Sequence, residues 1–187
     1  MICVLYKDTK DGNQHTEIID VEDGSTLHKN LVENTKLLTF LNKIYGDGVT
    51  FTRRIFFDYL RMNMNCSKKE VLGVSMFPYI YGILEQFQEL IDNTSLTPAV
   101  RTFFKVREKG KLLDEDQTMI FHHTVAYLIF LCMRVRRYIQ ITVGFLMTRV
   151  TEPDKDDWGK VKRILQYLKG TRSLKLCLSR NNMHCTK

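Results

Sequence analysis

Seven basic side chains in the last third of the chain carry its most legible chemistry. Arg134, Arg136 and Arg137 form a knot, and Lys160, Lys162, Arg163 and Lys169 share one short segment. Clustered guanidinium and ammonium groups suit the phosphates of a nucleic-acid backbone, a contact that positions a duplex without reading its sequence. The formal net charge of +7 and the pI near 9.2 favour a polyanionic partner as well, although a basic surface that is merely solvated accounts for the same numbers. Other reactive types are less promising. His122 and His123 are adjacent, so on a helix they point about 100° apart and cannot chelate one metal as an i, i+4 pair would. The five cysteines are scattered without a Cys-x-x-Cys pair, which leaves little for zinc, and His184 beside Cys185 is better explained by chance. Asp156 and Asp157 read as the acidic opening of a helix rather than an acid/base pair. No catalytic or metal-binding residue is therefore expected.

The cations need elements to hold them. Trp158, Val161, Leu165 and Leu168, with Ile164 beside them, make one apolar stripe of helical period. Lys155, Lys160, Lys162, Arg163 and Lys169 fall off that stripe or at its edge. Asp154, Asp156 and Asp157 suit the first turn, Pro153 an early position, Lys169 the last turn and Gly170 the position after the end. Leu174, Leu176 and Leu178 then alternate with polar residues as in a half-buried strand. Upstream, Asp114, Glu115 and Asp116 lead into an apolar helix that ends in the arginine knot, and a second apolar segment follows. Its longest apolar run, Val125 to Met133, is about half a membrane span, and nothing resembles a signal peptide, so a soluble intracellular protein, cytoplasmic or nuclear, is expected.

Earlier parts are less strongly patterned. Residues 7–14 read as a loop, 16–21 as a short strand, Ser25 to Tyr45 as a helix stopped by Gly46, and Val49 to Phe57 as a strand. Val71 to Met76 reads as a returning strand, Pro78 to Ile91 as a helix, and Thr94 to Leu113 as a basic connector with Arg101, Lys105, Arg107, Lys109 and Lys111.

The run Arg163-Ile-Leu-Gln-Tyr-Leu-Lys-Gly-Thr171, the Trp158-led helix before it and the apolar helix over 125–137 resemble the end of the reverse transcriptase region in copia-type retrotransposon polyproteins. Asp58 to Met62 is similar to that family's Tyr/Phe-Leu-Gly turn, and Thr97-Pro98-Ala99 to the Thr-Pro pair before its thumb-like helices. The resemblance covers roughly Leu37 to Leu178. It implies an α+β chain: 1–92 as the remnant of a polymerase palm, 93–180 as a helical thumb or connection ending in a strand, and 181–187 as a tail.

The family enzyme is an RNA-directed DNA polymerase, serving integration of the element, in which three carboxylates hold two Mg²⁺ ions. Ile2 to Thr9 resembles a degraded form of the catalytic hairpin, with Asp8 kept and Thr9 in place of the second carboxylate. The upstream Asp is expected to precede Met1, and the RNase H domain to follow the last strand. Arg61 in the place of the family's glycine is expected to obstruct a turn that needs positive φ or a close approach of the backbone to nucleic acid. The implied chain is thus an inactive polymerase fragment without a cofactor of its own. It is expected to grip an RNA–DNA duplex through the seven cations, with the remainder of a polyprotein or a second copy as further partners. A relic without function, or a helix-mediated interaction module that buries the 125–133 surface and the last strand's open edge, is the alternative.

Overall fold

The computed structural model describes residues 2–10, 12–20, 23–28, 30–46, 54–68, 71–87, 91–107 and 110–179. They mix helices with small antiparallel sheets, the α+β class expected, and fall into two compact units, Met1–Leu60 and Arg61–Lys187. The expected junction at residue 92 lies inside the second unit.

In the first unit β1 (Ile2–Asp8), β2 (Gln14–Asp20) and β3 (Asp23–Leu27) form an antiparallel sheet in chain order. Lys7, Asp8 and Gln14 of the expected loop belong instead to strands, and between the strands the Thr9 N–H donates to the Asn13 carbonyl at 2.9 Å, with Gly12 at φ 74°. The helix expected from Ser25 starts later. Thr26 and Ser25 pair with Glu17 and Ile18 in the sheet, and α1 (Leu31–Tyr45) begins at Asn30, whose side chain accepts from the Val32 N–H at 3.0 Å. A side-chain cap of this kind satisfies a backbone donor that the helix leaves open, and so fixes the start. Gly46, at φ 65°, ends α1 as expected. Most of the strand expected at Val49 to Phe57 lies outside the described residues; β4 (Phe56–Tyr59) begins at its end. Leu60 and Arg61 then adopt φ values of 49° and 64°. The expectation that Arg61 obstructs a turn of positive φ is therefore corrected, because both residues enter the left-handed region without glycine.

In the second unit β5 (Met62–Lys68), β6 (Val71–Ser75) and β7 (Leu176–Ser179) lie side by side and antiparallel. Gly73 sits opposite Asn65 on one side and Cys177 on the other. The last strand thus pairs with β6 along one edge. Its residues come from the far end of the unit's sequence, so this pairing closes the unit. Between β6 and β7 run α2 (Phe77–Gln86), a long irregular connector, α3 (Glu115–Arg134), a 3₁₀ turn (Arg137–Ile139), α4 (Gln140–Met147) and α5 (Lys155–Thr171). Helix α2 stops short of the expected Ile91.

One core joins them. Val74 of β6 and Ile80 and Ile83 of α2 meet Phe121, Val125, Leu128 and Leu131 of α3, Val143 and Leu146 of α4, and Val161, Ile164, Leu165 and Leu168 of α5. The stripe read on α5 is this buried face. The 125–133 run also packs here through Val125, Leu128, Leu131 and Cys132, while Ala126 and Met133 are exposed.

Candidate nucleic-acid interface

Helix α5 carries four of the seven predicted cations, and its own sequence places them. Asp154 caps it: Oδ1 accepts from the Asp156 and Asp157 N–H groups at 2.8 and 2.9 Å, while Asp157 Oδ2 accepts from the Asp154 N–H at 3.3 Å. This reciprocal capping box fixes where the helical turn starts, and hence which residues face the core. Pro153 stands one residue before the cap. Gly170 lies inside the last turn rather than beyond it, and a Cβ there would stand 3.4 Å from Thr94 Cβ. The glycine lets the 94–95 segment approach, and the Ser95 N–H donates to the Gln166 carbonyl at 3.2 Å.

Two of the seven cations point inward. Lys160, placed by sequence at the stripe's edge, is buried. Its Nζ meets Asp156 Oδ2 at 2.9 Å and Asp157 Oδ1 at 3.2 Å, donates to the Lys105 carbonyl at 2.9 Å, and lies 4.8 Å from the centre of the Phe145 ring. Asp157 is buried too, and also pairs with Arg149 at 3.0 Å. Arg136 is only 1 % exposed. Its Nη2 donates to the Thr171 and Arg172 carbonyls at 2.7 and 3.1 Å, and its Nη1 to the Tyr138 hydroxyl at 2.5 Å. A cation on these carbonyls satisfies the open acceptors and opposes the dipole at the C-terminal end of α5. Neither side chain can reach a phosphate without abandoning a buried partner.

The other five lie nearer solvent. Arg134 is half-buried over the Phe130 ring at 3.5 Å, and Arg137 is exposed. Lys162 pairs with Asp92 at 2.7 Å, Arg163 Nη2 donates to Thr97 Oγ1 at 3.0 Å, and Lys169 Nζ donates to the Ile91 carbonyl at 3.1 Å. The hydrogen bond and charge of Lys162 hold the Asp92 carboxyl below the usual carboxylate range. These three cations thereby tether residues 91–97 along α5.

Lys155 joins this set, although it was not singled out among the predicted contacts. Lys155, Lys162 and Lys169 stand seven apart, which on an α-helix brings them to one side at intervals of about 10 Å. That side is opposite Ile164, and Lys155 and Lys169 are exposed. The seven-residue repeat was available in the sequence. Asp92, Thr97 and Arg149 were not, because their roles depend on long-range packing.

Comparison with protein-family models, curated proteins and solved structures finds no match to this chain.

The remaining expected features can be placed individually. His122 Nε2 contacts the Val150 carbonyl while His123 is exposed, so the two rings diverge. Asp8 ends β1 opposite Gln14, and the Thr9 hydroxyl donates to the Asn13 carbonyl at 2.6 Å. Among the described residues no group of three or more His, Cys, Asp or Glu could hold a metal ion. Asp8 with Thr9 beside it offers one carboxylate at this end of β1, whereas the family that the sequence resembles holds its paired Mg²⁺ ions with three. Asp156 and Asp157 serve the helix cap and its ion pairs, and His184 and Cys185 lie outside the described residues. No helix among those residues is long and apolar enough to cross a membrane.

Proposed function

We propose that this chain is a fragment of a copia-type reverse transcriptase region whose second unit grips the sugar–phosphate backbone of an RNA–DNA duplex without performing polymerase chemistry. The observation that carries this reading is the Lys155–Lys162–Lys169 ridge of α5, with Arg163 beside it and Arg137 exposed in the 3₁₀ turn between α3 and α4. Two features of the ridge favour a phosphate ligand. Its cations stand on a helix anchored by a capping box and a buried face, so their spacing is fixed before binding. The Lys162–Asp92 pair lies near the surface, where such pairs are worth about 0–1 kcal/mol, so a phosphate displaces the carboxylate at little cost. The resemblance of Arg163 to Thr171 supplies the nature of the polyanion. Asp8 without a second carboxylate at residue 9 supports binding rather than catalysis.

The test is anisotropy of a labelled RNA–DNA duplex titrated with the whole chain across a salt series. Binding should weaken linearly in log salt, with a slope of about 0.9 per phosphate contact. No binding even at low salt overturns the proposal.

A further inference from the structure

Thr97 lies on the exposed connector, in the sequence Ser95-Leu96-Thr97-Pro98. Its Oγ1 donates to the Ala99 carbonyl at 3.0 Å and accepts from Arg163 Nη2, also at 3.0 Å. The Arg163 Nε is buried and has no hydrogen-bond partner among the described residues. Nε and Nη2 form the side-on edge of a guanidinium, whose two parallel N–H groups match two oxygens of a carboxylate or phosphate. Half of that edge is therefore used by a single hydroxyl oxygen, and the other half is idle. An unsatisfied buried donor costs about 1–3 kcal/mol, so an acceptor brought to this edge has an unusually ready partner.

We propose that Thr97 is a phosphorylation site for a proline-directed protein kinase, with Arg163 as a preformed receptor for the phosphate. Three observations converge on it. Pro98 keeps the preceding residue out of helical geometry, as a kinase needs of its substrate segment. The threonine is exposed on a segment without regular secondary structure. The phosphoryl group would be esterified to the very atom that Arg163 already touches. In the reaction, Thr97 Oγ attacks the γ-phosphorus of ATP. The Oγ–P bond forms, the bond from the γ-phosphorus to the bridging β-phosphate oxygen breaks, ADP leaves, and the hydroxyl proton passes to the kinase's base.

Phosphorylation replaces one neutral oxygen with a group of charge near −2 and three strong acceptors. Arg163 Nε and Nη2 then bind it side-on, fastening residues 91–97 to α5 more firmly. The same step withdraws Arg163 from any other anion and places negative charge beside Lys162. This inference rests on the Thr97–Arg163 geometry and stands whether or not the ridge binds nucleic acid.

The experiment treats the whole chain with ATP and a proline-directed kinase, maps the phosphate by mass spectrometry, and follows its ³¹P resonance with pH. Phosphate is expected on Thr97 and absent from Thr97→Ala. Its second pKa is expected to lie below the value of about 6 typical of a phosphorylated side chain, and to return to that value in Arg163→Gln. The unmodified Arg163→Gln protein, compared with wild type by circular dichroism, controls for folding. Failure to phosphorylate Thr97 in the folded chain, when a peptide spanning residues 91–103 is phosphorylated, overturns the site. A second pKa unchanged by Arg163→Gln in a folded protein overturns the receptor.

Discussion

The two units solve the problem of burial very differently. The second unit gathers residues from β6, α2, α3, α4 and α5 into one core, with Phe121, Leu128, Leu131, Ile164, Leu165 and Leu168 fully buried. In the first, Leu38 is the one buried hydrophobic side chain among the described residues, while Phe40, Ile44 and Tyr45 of the same helix are exposed. Burial of apolar surface is the dominant favourable contribution to folding, so stability should be concentrated in the second unit. The basic ridge belongs to the unit that can hold it still.

Breaking the second unit's buried charge network should have the largest effect. Asp157→Ala removes a partner from both Lys160 and Arg149 and half of the capping box; with Lys160 left buried, a loss of about 3–5 kcal/mol is expected by urea denaturation. Leu165→Ala should cost about 2–5 kcal/mol by the same measurement, through lost burial and the cavity left behind. Leu38→Ala sharpens the comparison: it should leave the second unit's transition unmoved, since Leu38 is no part of that core. At the passage between the units, Arg61→Gly should stabilise by about 1 kcal/mol, because glycine takes φ near 64° without the cost a side chain incurs.

The smallest effect is one of pH. Burial pushes the Cys132 thiol and the Tyr79 and Tyr138 hydroxyls above their ordinary values of 9.0 and 10.0, with nearby arginines opposing it at the tyrosines. A group whose folded-state pKa is raised adds stability that is complete below its ordinary value and lost as pH rises through the folded one. The second unit's thermal midpoint should therefore hold up to about pH 9 and fall above it, as read by circular dichroism.

The same contrast explains how much the sequence discloses. In α5 the stripe from Trp158 to Leu168 is legible because those residues pack against one core, and Asp154 to Asp157 announce the cap. In the first unit, Ser25 and Thr26 carry no pattern that separates a strand from a helix; only their pairing with β2 and the Asn30 cap decide it. Long-range contacts hid the rest. Lys160 looks like a surface lysine until Asp156, Asp157 and the Lys105 carbonyl surround it. Arg136 is indistinguishable from Arg134 and Arg137 until the end of α5 arrives against it. Gly170 reads as a helix stop because the approach of Thr94 is invisible in sequence. The candidate interface was thus legible in its helix and general charge, and illegible in which cations remain available.

The central claim is that the α5 ridge, and not positive charge in general, grips the polyanion. Two charge-matched variants of the whole chain test it in the duplex salt series: Lys155→Gln/Lys162→Gln/Lys169→Gln on the ridge, and Lys7→Gln/Lys36→Gln/Lys43→Gln in the first unit. The ridge variant should flatten the log–log salt slope by about 2.7, the sum of three phosphate contacts, while the first-unit variant keeps the wild-type slope. Equal flattening by both variants, or none by the ridge variant, would contradict the account.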